Sequence, residues 1–403
     1  MTFPVRTATG DTELRAADHL FEVAFGRLTS DVVRSFVRTL LEPDSVIVAD
    51  DAGRPVGTAL DFPMSMTVPG GGGHRTREVG VRAVTGIAVA PTHRRRGILR
   101  AMMTTLLTRA DPVATPLAAL TATEGGIYGR FGFGVATVGE QLSVDRRFAT
   151  FHRGLPDPGG VVTLPFDSDE VRAALPEIYT RWQRSTPGAQ PRPRSLWELE
   201  FTDPEEFRRG RSEKFLFLHD DGYALFRRSS DRTTAHVVEL VAVTETARLA
   251  LWHALCGLDL VETIEIVTAP GDPAPLYFED QRLTKTTGRY DEGWLRILDV
   301  ARALEARTYG RDGRVVIEVK DEFFGVGGTF ALTVGGGEAT CVPTTATADL
   351  RLPIDTLGAL YLGGRSAVQF ARAGRLDART PQMLHHFDAA MRGDVMPQLG
   401  WHF

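Results

Sequence analysis

The chain has 403 residues, 43% hydrophobic and 24% charged, with a net charge of −5. This is ordinary globular composition, long enough for two or three domains with buried cores. The acidic balance excludes a dedicated nucleic-acid binder, whose footprint is a basic excess, and no window approaches the ~18–20 apolar residues of a membrane span.

Residues 13–41 read as helical, because Leu14, Ala17, Leu20, Phe21, Ala24 and Phe25 recur at helical spacing and Val33, Phe36, Val37 and Leu40 form a second stripe. Ser45 to Ala49 and Val56 to Phe62 read as strands around a turn at Asp50 to Gly53. Pro69 to Gly73 is a flexible hairpin connection, since no helix follows it to make a phosphate cradle. Val81 to Val89 is a strand, Ile98 to Arg109 a helix and Val113 to Ala122 another apolar strand, which predicts a central sheet of mixed direction. Gly125 to Phe131 reads as a short helix and Val135 to Val144 as the closing strand. The glycines of Gly129 to Gly134 lack the leading strand that a dinucleotide loop needs.

The pattern breaks into Pro and Gly at residues 151–158, a domain boundary. A second α/β block follows, with a helix at Val171 to Arg184 and a proline-rich loop at Pro187 to Pro193. Its strands are Lys214 to Arg227, Ala235 to Ala242 and Thr263 to Thr268, with a helix from Thr246 to Leu258, and it has no arginine-glycine loop. A third, α+β block starts with the strand Asp291 to Val300 and the helix Ala301 to Arg307. Short strands follow at 315–320, 329–334 and 338–342, then helices at 357–362, 367–373 and 381–391. The tail ends in Trp401-His402-Phe403, too aromatic for an idle solvated end. The expected domains are therefore 1–150, 151–292 and 293–403.

The chemistry concentrates at Thr85 to Arg100. A strand ends at Ala90-Pro91, a basic loop Arg94-Arg95-Arg96-Gly97 follows, and a helix begins. Helix N-terminal N–H groups, the positive end of the dipole and nearby guanidinium groups suit a pyrophosphate, and Gly97 lets the backbone approach it. Arg94 to Leu99 resembles the acetyl-coenzyme A signature of the GNAT N-acetyltransferases, Arg/Gln-x-x-Gly-x-Gly/Ala, with Leu99 at the sixth position. Together with Thr121 to Gly132 and the final Phe403, the whole chain resembles the Eis ("enhanced intracellular survival") acetyltransferases of actinobacteria.

That resemblance implies two tandem GNAT-type domains, α/β in class, the second without a cofactor loop. A sterol-carrier-like α+β domain follows, whose tail enters the active site. It implies acetyl-CoA held by Ile87, Ala88 and Val89 along its pantetheine arm, by Arg95, Arg96, Gly97, Ile98, Leu99 and Arg100 at its pyrophosphate, and by Thr123 and Glu124 beside it. It makes Tyr128 the general acid and the α-carboxylate of Phe403 the general base. Acceptors would be amines of aminoglycosides or polyamine-like molecules, with protein lysines an alternative, and the assembly a homohexamer. The rival outside the enzymes is an apolar-ligand binder with a vestigial GNAT site.

The chemistry is consistent with those roles. A lysine-like amine, pKa about 10.4, must lose a proton before attack, and the departing thiolate, pKa about 8.5, can be protonated by a tyrosine near 10. No metal is expected. His385 and His386 are neighbours on one helix and point apart. Cys256 and Cys341 have neither zinc nor disulfide spacing. His93 is expected to be exposed, and Trp182, Trp197 and Trp252 to be core or interface. With no signal-length apolar run at the N-terminus, the protein is expected in the cytoplasm.

Overall fold

The computed structural model describes residues 3–26, 29–73 and 75–403. The first part of the chain holds β1 (Val5–Thr7), α1 (Gly10–Phe25), α2 (Asp31–Leu40), β2 (Val46–Asp51), β3 (Arg54–Val68), β4 (Arg77–Val89), α3 (Ile98–Arg109), β5 (Leu117–Thr121) and β6 (Gly134–Val135). Next come β7 (Val138–Asp145), α4 (Asp169–Gln183), α5 (Arg194–Thr202), β8 (Phe215–His219), β9 (Gly222–Arg228), β10 (Thr234–Ala242), α6 (Glu245–Cys256), β11 (Thr263–Thr268), α7 (Ala274–Tyr277) and β12 (Thr284–Asp291). The last part holds β13 (Gly293–Ile297), α8 (Val300–Ala306), β14 (Gly313–Lys320), β15 (Gly328–Gly335), β16 (Glu338–Pro343), β17 (Leu350–Pro353), α9 (Ile354–Leu360), α10 (Ala367–Arg372), β18 (Asp377–Ala378) and α11 (Pro381–Met391).

One compact unit comprises residues 1–137, 292–395 and 401–403; the other comprises 138–291 and 396–400. This division differs from sequence boundaries at 150 and 292, because two strands change places. The stretch 135–144, read as one closing strand, is broken between β6 and β7. β6 stays in the first sheet, whereas β7 pairs with β11 and β12 in the second unit. β13, read as the start of the third block, lies between β5 and β6, with Gly293 opposite Thr121 and Ile297 opposite Leu117. Composition cannot reveal this exchange, since it is decided by pairing with strands distant in sequence.

The first unit is built on a seven-stranded sheet in the order β1-β2-β3-β4-β5-β13-β6. β5 is covered on both faces, which explains its unbroken apolar run. Ala118 and Leu120 pack with Ile98, Met102, Met103, Leu106 and Leu107 of α3. Leu117 and Ala119 face the opposite cluster, together with Ile317, Leu332, Leu357 and Phe387 of the C-terminal elements. Contact there is close enough to exclude a Cβ: one on Gly358 of α9 would lie 2.4 Å from the Leu295 carbonyl oxygen. The C-terminal elements add their own sheet, in the order β16-β15-β14-β17-β18. The loop 69–73 is packed rather than free, since a Cβ on Gly71 would fall 2.5 Å from the Gly310 nitrogen.

The helical reading of 13–41 resolves into two helices. Gly26, at φ 62°, closes α1, and the Ser30 hydroxyl caps α2 by accepting from the Val33 N–H. Residues 27 and 28 lie outside the described residues.

The second unit has a six-stranded sheet in the order β12-β7-β11-β10-β9-β8. β10 and β11 are parallel, joined through α6. Leu251, Trp252 and Leu255 of α6 pack in one core cluster. Val171, Leu175 and Trp182 of α4, with Trp197 and Phe201 of α5, pack in another. Trp182, Trp197 and Trp252 are thus core residues. α5 and β12 have no counterpart in the sequence reading. β12 (TKTTGRYD) is largely exposed and polar, so it lacks the apolar signal of a strand.

One buried ion group fixes the first sheet to α3. The Asp61 side chain, with no solvent exposure, accepts from Arg82 Nε at 2.6 Å and from Arg109, the last residue of α3. Arg109 also donates to the main-chain oxygens of Asp44, at 2.6 Å, and Ser45, at 3.0 Å. Removing one partner from such a group leaves the others uncompensated. Asp61→Ala should therefore destabilise the first unit by about 3 kcal/mol, seen as a lower urea midpoint. An unchanged midpoint would show that the group contributes nothing.

Candidate active site

The site begins with a fault in β4. Leu60 pairs with Thr85 and Thr58 with Ala88, so two residues of β4, Gly86 and Ile87, oppose one residue of β3. Such a bulge bends its strand. It needs a left-handed residue here, and Gly86 has φ 60°. On the other side, the parallel ladder between β4 and β5 covers only Val81 to Ala83 against Leu117 to Ala119. The edge of β4 at Ile87, Ala88 and Val89 is therefore not in the β5 ladder.

After β4 the chain makes one 3-10 turn, Pro91–His93, and reaches the arginines. Arg95 has φ 61° and Gly97 φ 84°. A non-glycine residue at positive φ is uncommon, and such strain gathers at functional loops. Alternating left-handed residues point successive N–H groups into one concavity, a geometry suited to anions. No side chain caps α3, and its first turn has no acidic residue. Space beside Gly97 is open, since a Cβ there would meet nothing within 4 Å. The residues present thus fit a phosphorylated ligand.

A cavity of about 560 Å³ adjoins this loop. Ile87, Ala88, Val89, Arg95, Gly97, Ile98, Leu99, Arg100, Thr123, Glu124 and Tyr128 all line it, as does Arg94. Arg96 is not among its lining residues; its guanidinium lies 4.5 Å from the Phe3 ring centroid. His93 is half-buried rather than exposed. Its Nε2 is 3.0 Å from Asp51 and its Nδ1 2.8 Å from the Thr92 hydroxyl, while Phe3 meets its ring edge-on.

Tyr128 opens the 3-10 turn Tyr128–Phe131. Its ring is half-buried against Phe133 and Trp294. Burial, and then the negative charge of Glu124, raise its pKa above the ordinary tyrosine value. It is therefore a neutral O–H donor at physiological pH.

Phe403 does not line that cavity, but it reaches the same sheet. Its main-chain oxygen accepts from the Thr121 hydroxyl, at 2.8 Å, where β5 ends. Trp401 is buried, with Phe62, Phe36 and Phe403 ringing it at 5.6–6.5 Å. Sequence reasoning gave no role to Thr121, the first residue of the motif Thr121 to Gly132, and missed the bulge at Gly86, whose only signal is a glycine inside a strand. Among the described residues no group of three or more His, Cys, Asp or Glu side chains could hold a metal ion, and no helix is long and apolar enough to cross a membrane.

The second unit offers a physical contrast. β10 also carries a bulge, between Val237 and Glu239, and leads into α6. The Thr244 hydroxyl caps α6 by accepting from the Ala247 N–H, and Glu245 occupies its first turn. A capped, acidic helix start repels phosphate where the uncapped, basic start of α3 attracts it.

A family model described as an acetyltransferase (GNAT) domain matches residues 4–136, another so described matches 188–297, and a sterol carrier protein domain matches 300–400. The N-acetyltransferase Eis of Mycobacterium tuberculosis is 44% identical over 376 residues, 91% of each chain. An uncharacterized N-acetyltransferase of Streptomyces avermitilis is 36% identical over 380 residues, 89% of this chain and 88% of its own. Among solved structures, Eis1 from Mycobacterium abscessus superposes with a TM-score of 0.86 at 33% identity, covering 99% of this chain and 100% of its own. A GCN5-related N-acetyltransferase from Kribbella flavida shares the fold at 23% identity, with a TM-score of 0.78 over 100% of this chain and 99% of its own.

The bulge is open to test. In Gly86→Ala the new Cβ would sit 2.9 Å from Leu60 Cδ2 on a backbone at φ 60°. The variant should lose about 1–2 kcal/mol of stability, measured by urea unfolding. Full stability would mean that β4 can run straight past this point.

Proposed function

The chain belongs to the Eis family of GNAT N-acetyltransferases, and we propose that it moves acetyl from acetyl-CoA to amines of aminoglycosides or polyamine-like substrates by direct attack on the thioester. It is an acyltransferase with two GNAT domains followed by a sterol-carrier-like domain. One observation carries the reading of the site: the basic loop, the open edge of β4 and Tyr128 line a single cavity. The acceptor class rests on the family resemblance, with the net charge of −5 in keeping with a cationic substrate.

In this reading Arg95, Gly97, Ile98, Leu99 and Arg100 would hold the pyrophosphate, with Arg96 adding charge from outside the cavity lining. Ile87, Ala88 and Val89 would pair with the pantetheine arm, and Thr123 and Glu124 would flank it. Acetyl-CoA, when bound, supplies the activated acyl carbon. Tyr128 donates its proton to the departing sulfur, and its raised pKa means that the hydroxyl carries that proton when the step begins. The α-carboxylate that the resemblance assigns to Phe403 accepts the amine proton directly or through water, and the Thr121 hydroxyl, which donates to the main-chain oxygen of Phe403, orients it. We further infer a homohexamer, the assembly that the resemblance implies, working in the cytoplasm.

The deciding experiment follows CoA release with acetyl-CoA and a panel of aminoglycosides, polyamines and lysine peptides. Turnover of the first two classes is expected, and turnover of lysine peptides alone would overturn the acceptor assignment. In the same assay Tyr128→Phe should lower kcat about 10²-fold while leaving acetyl-CoA affinity intact. Wild-type kcat should rise with pH as the amine is deprotonated. It should not fall through ionisation of Tyr128 below about pH 10, the unperturbed tyrosine pKa, because the raised pKa preserves the acid form upward. Wild-type turnover in Tyr128→Phe would return that ring to a packing role.

The base has its own test. A short glycine-serine tag appended to Phe403 keeps the ring and replaces the carboxylate with an amide. Acetyl transfer should be nearly abolished, with calorimetric acetyl-CoA binding retained. A tagged enzyme of normal rate would move the base to a side chain.

A further inference from the structure

The turn that carries Tyr128 is held from beneath by residues distant in sequence. Arg296, on β13, has a fully buried guanidinium, and its Nη1 donates to the main-chain oxygen of Phe131, the last residue of that turn. Room for it exists because residue 132 is glycine: a Cβ there would collide with Arg296 Nη1. Arg296 Nη2 donates to Asp321 Oδ2 at 2.7 Å. The same carboxylate shapes the loop that follows it. Asp321 Oδ1 accepts from the N–H groups of Phe323 at 3.2 Å and Phe324 at 3.3 Å, and Oδ2 accepts from that of Val326 at 3.2 Å.

This loop sets the Phe323 ring between two parts of the site. On one side the ring meets Phe131 edge-to-face, with centroids 5.1 Å apart and planes at 74°. On the other it lies under the Arg100 guanidinium, 4.8 Å from the ring centroid. Arg100 belongs to the first turn of α3 and lines the cavity. One ring thus touches the acid's turn and the helix that starts at the phosphate loop.

We propose that Phe323 is a positioning residue for acyl transfer, bracing the Tyr128 turn against the cofactor helix so that the acid meets the departing sulfur. This rests on the assignment of Tyr128 as the acid. Phe323 itself touches no reacting atom. Its removal loosens the acid relative to the thioester, and small misplacements of a reacting group are costly in rate. It belongs to the region matched by the sterol carrier model, so that region contributes to catalysis through packing.

The test uses the full-length protein with acetyl-CoA and kanamycin, or spermidine where the panel favours it. Phe323→Ala should lower kcat about tenfold, with KM for the amine and the calorimetric Kd for acetyl-CoA changed no more than about threefold. Phe323→Tyr, which keeps the ring, should restore most of the rate. If the alanine variant does not fold, Phe323→Leu keeps the apolar volume without the ring and has the same expected loss. The diagnostic is non-additivity: in a Tyr128→Phe background, Phe323→Ala should cost little more, since the group it positions is gone. Multiplying losses, or a normal kcat in Phe323→Ala, would overturn the proposal while leaving the acid assignment intact. A normal kcat in Tyr128→Phe alone would overturn both.

Discussion

At Gly86 the backbone of β4 takes a left-handed step, and the site follows from it. Two residues of β4 pass one residue of β3, and the ladder to β5 is already over at Ala83. A regular parallel sheet would have used those backbone groups internally, leaving no edge for an extended ligand to pair with. Placing the fault inside the sheet keeps the edge rigid, because β3 still holds β4 on its other side up to Val89. The bend delivers the chain to the arginine loop, and the far end of α3 is fixed by Arg109 on Asp61, Asp44 and Ser45. The helix start that faces the cavity is thereby oriented from its opposite end.

The two GNAT sheets show how little separates a basic helix start suited to anions from a plain one. Both have a bulged strand that leads into a helix. In the first the helix is uncapped, begins at glycine and has arginines before it; in the second a threonine caps it and a glutamate follows. The cap satisfies the N–H groups that would otherwise bind an anion. Fold alone would suggest two cofactor sites, whereas the end chemistry of α3 and α6 suggests one.

Much of this was legible in the sequence, for physical reasons. α3 follows a loop whose arginines and glycine have no strand or helix pattern, and its Ile98 to Arg109 span was read directly. The same holds for most strands buried on one or both faces, where apolar periodicity is a consequence of packing. What escaped was set by long-range pairing. β12 is polar because it is exposed, and the break at 135–144 is invisible because Val135 on one side and Val138, Leu142 and Val144 on the other read as one run of strand-forming residues. Thr121 has meaning only once Phe403 comes within hydrogen-bond reach of it. Arg296 is a charged residue in an otherwise apolar strand, yet it is wholly buried, with Asp321 and the Phe131 carbonyl as its partners. Burial disfavours the Asp321 charge, but Arg296 and backbone N–H groups outweigh that and hold its carboxyl below the usual range. No local pattern announces a pair joined across such a separation.

The placement of β13 between β5 and β6 also sets a clock on assembly. β5 leaves the ribosome long before the strand that completes its edge. At the usual pace of about 5–20 residues per second, the gap lasts on the order of ten to thirty seconds. During that time an apolar strand has an unpaired edge, the condition that invites pairing with another chain. The second sheet, by contrast, is made of β7 to β12, which follow one another in a single continuous stretch of chain. The middle of the protein can therefore finish folding first, while the part with Tyr128 and the arginine loop waits for the last third of the chain. Nascent chains of this architecture depend on protection of one specific edge, that of β5, and slower translation of residues 138–292 would lengthen its exposure.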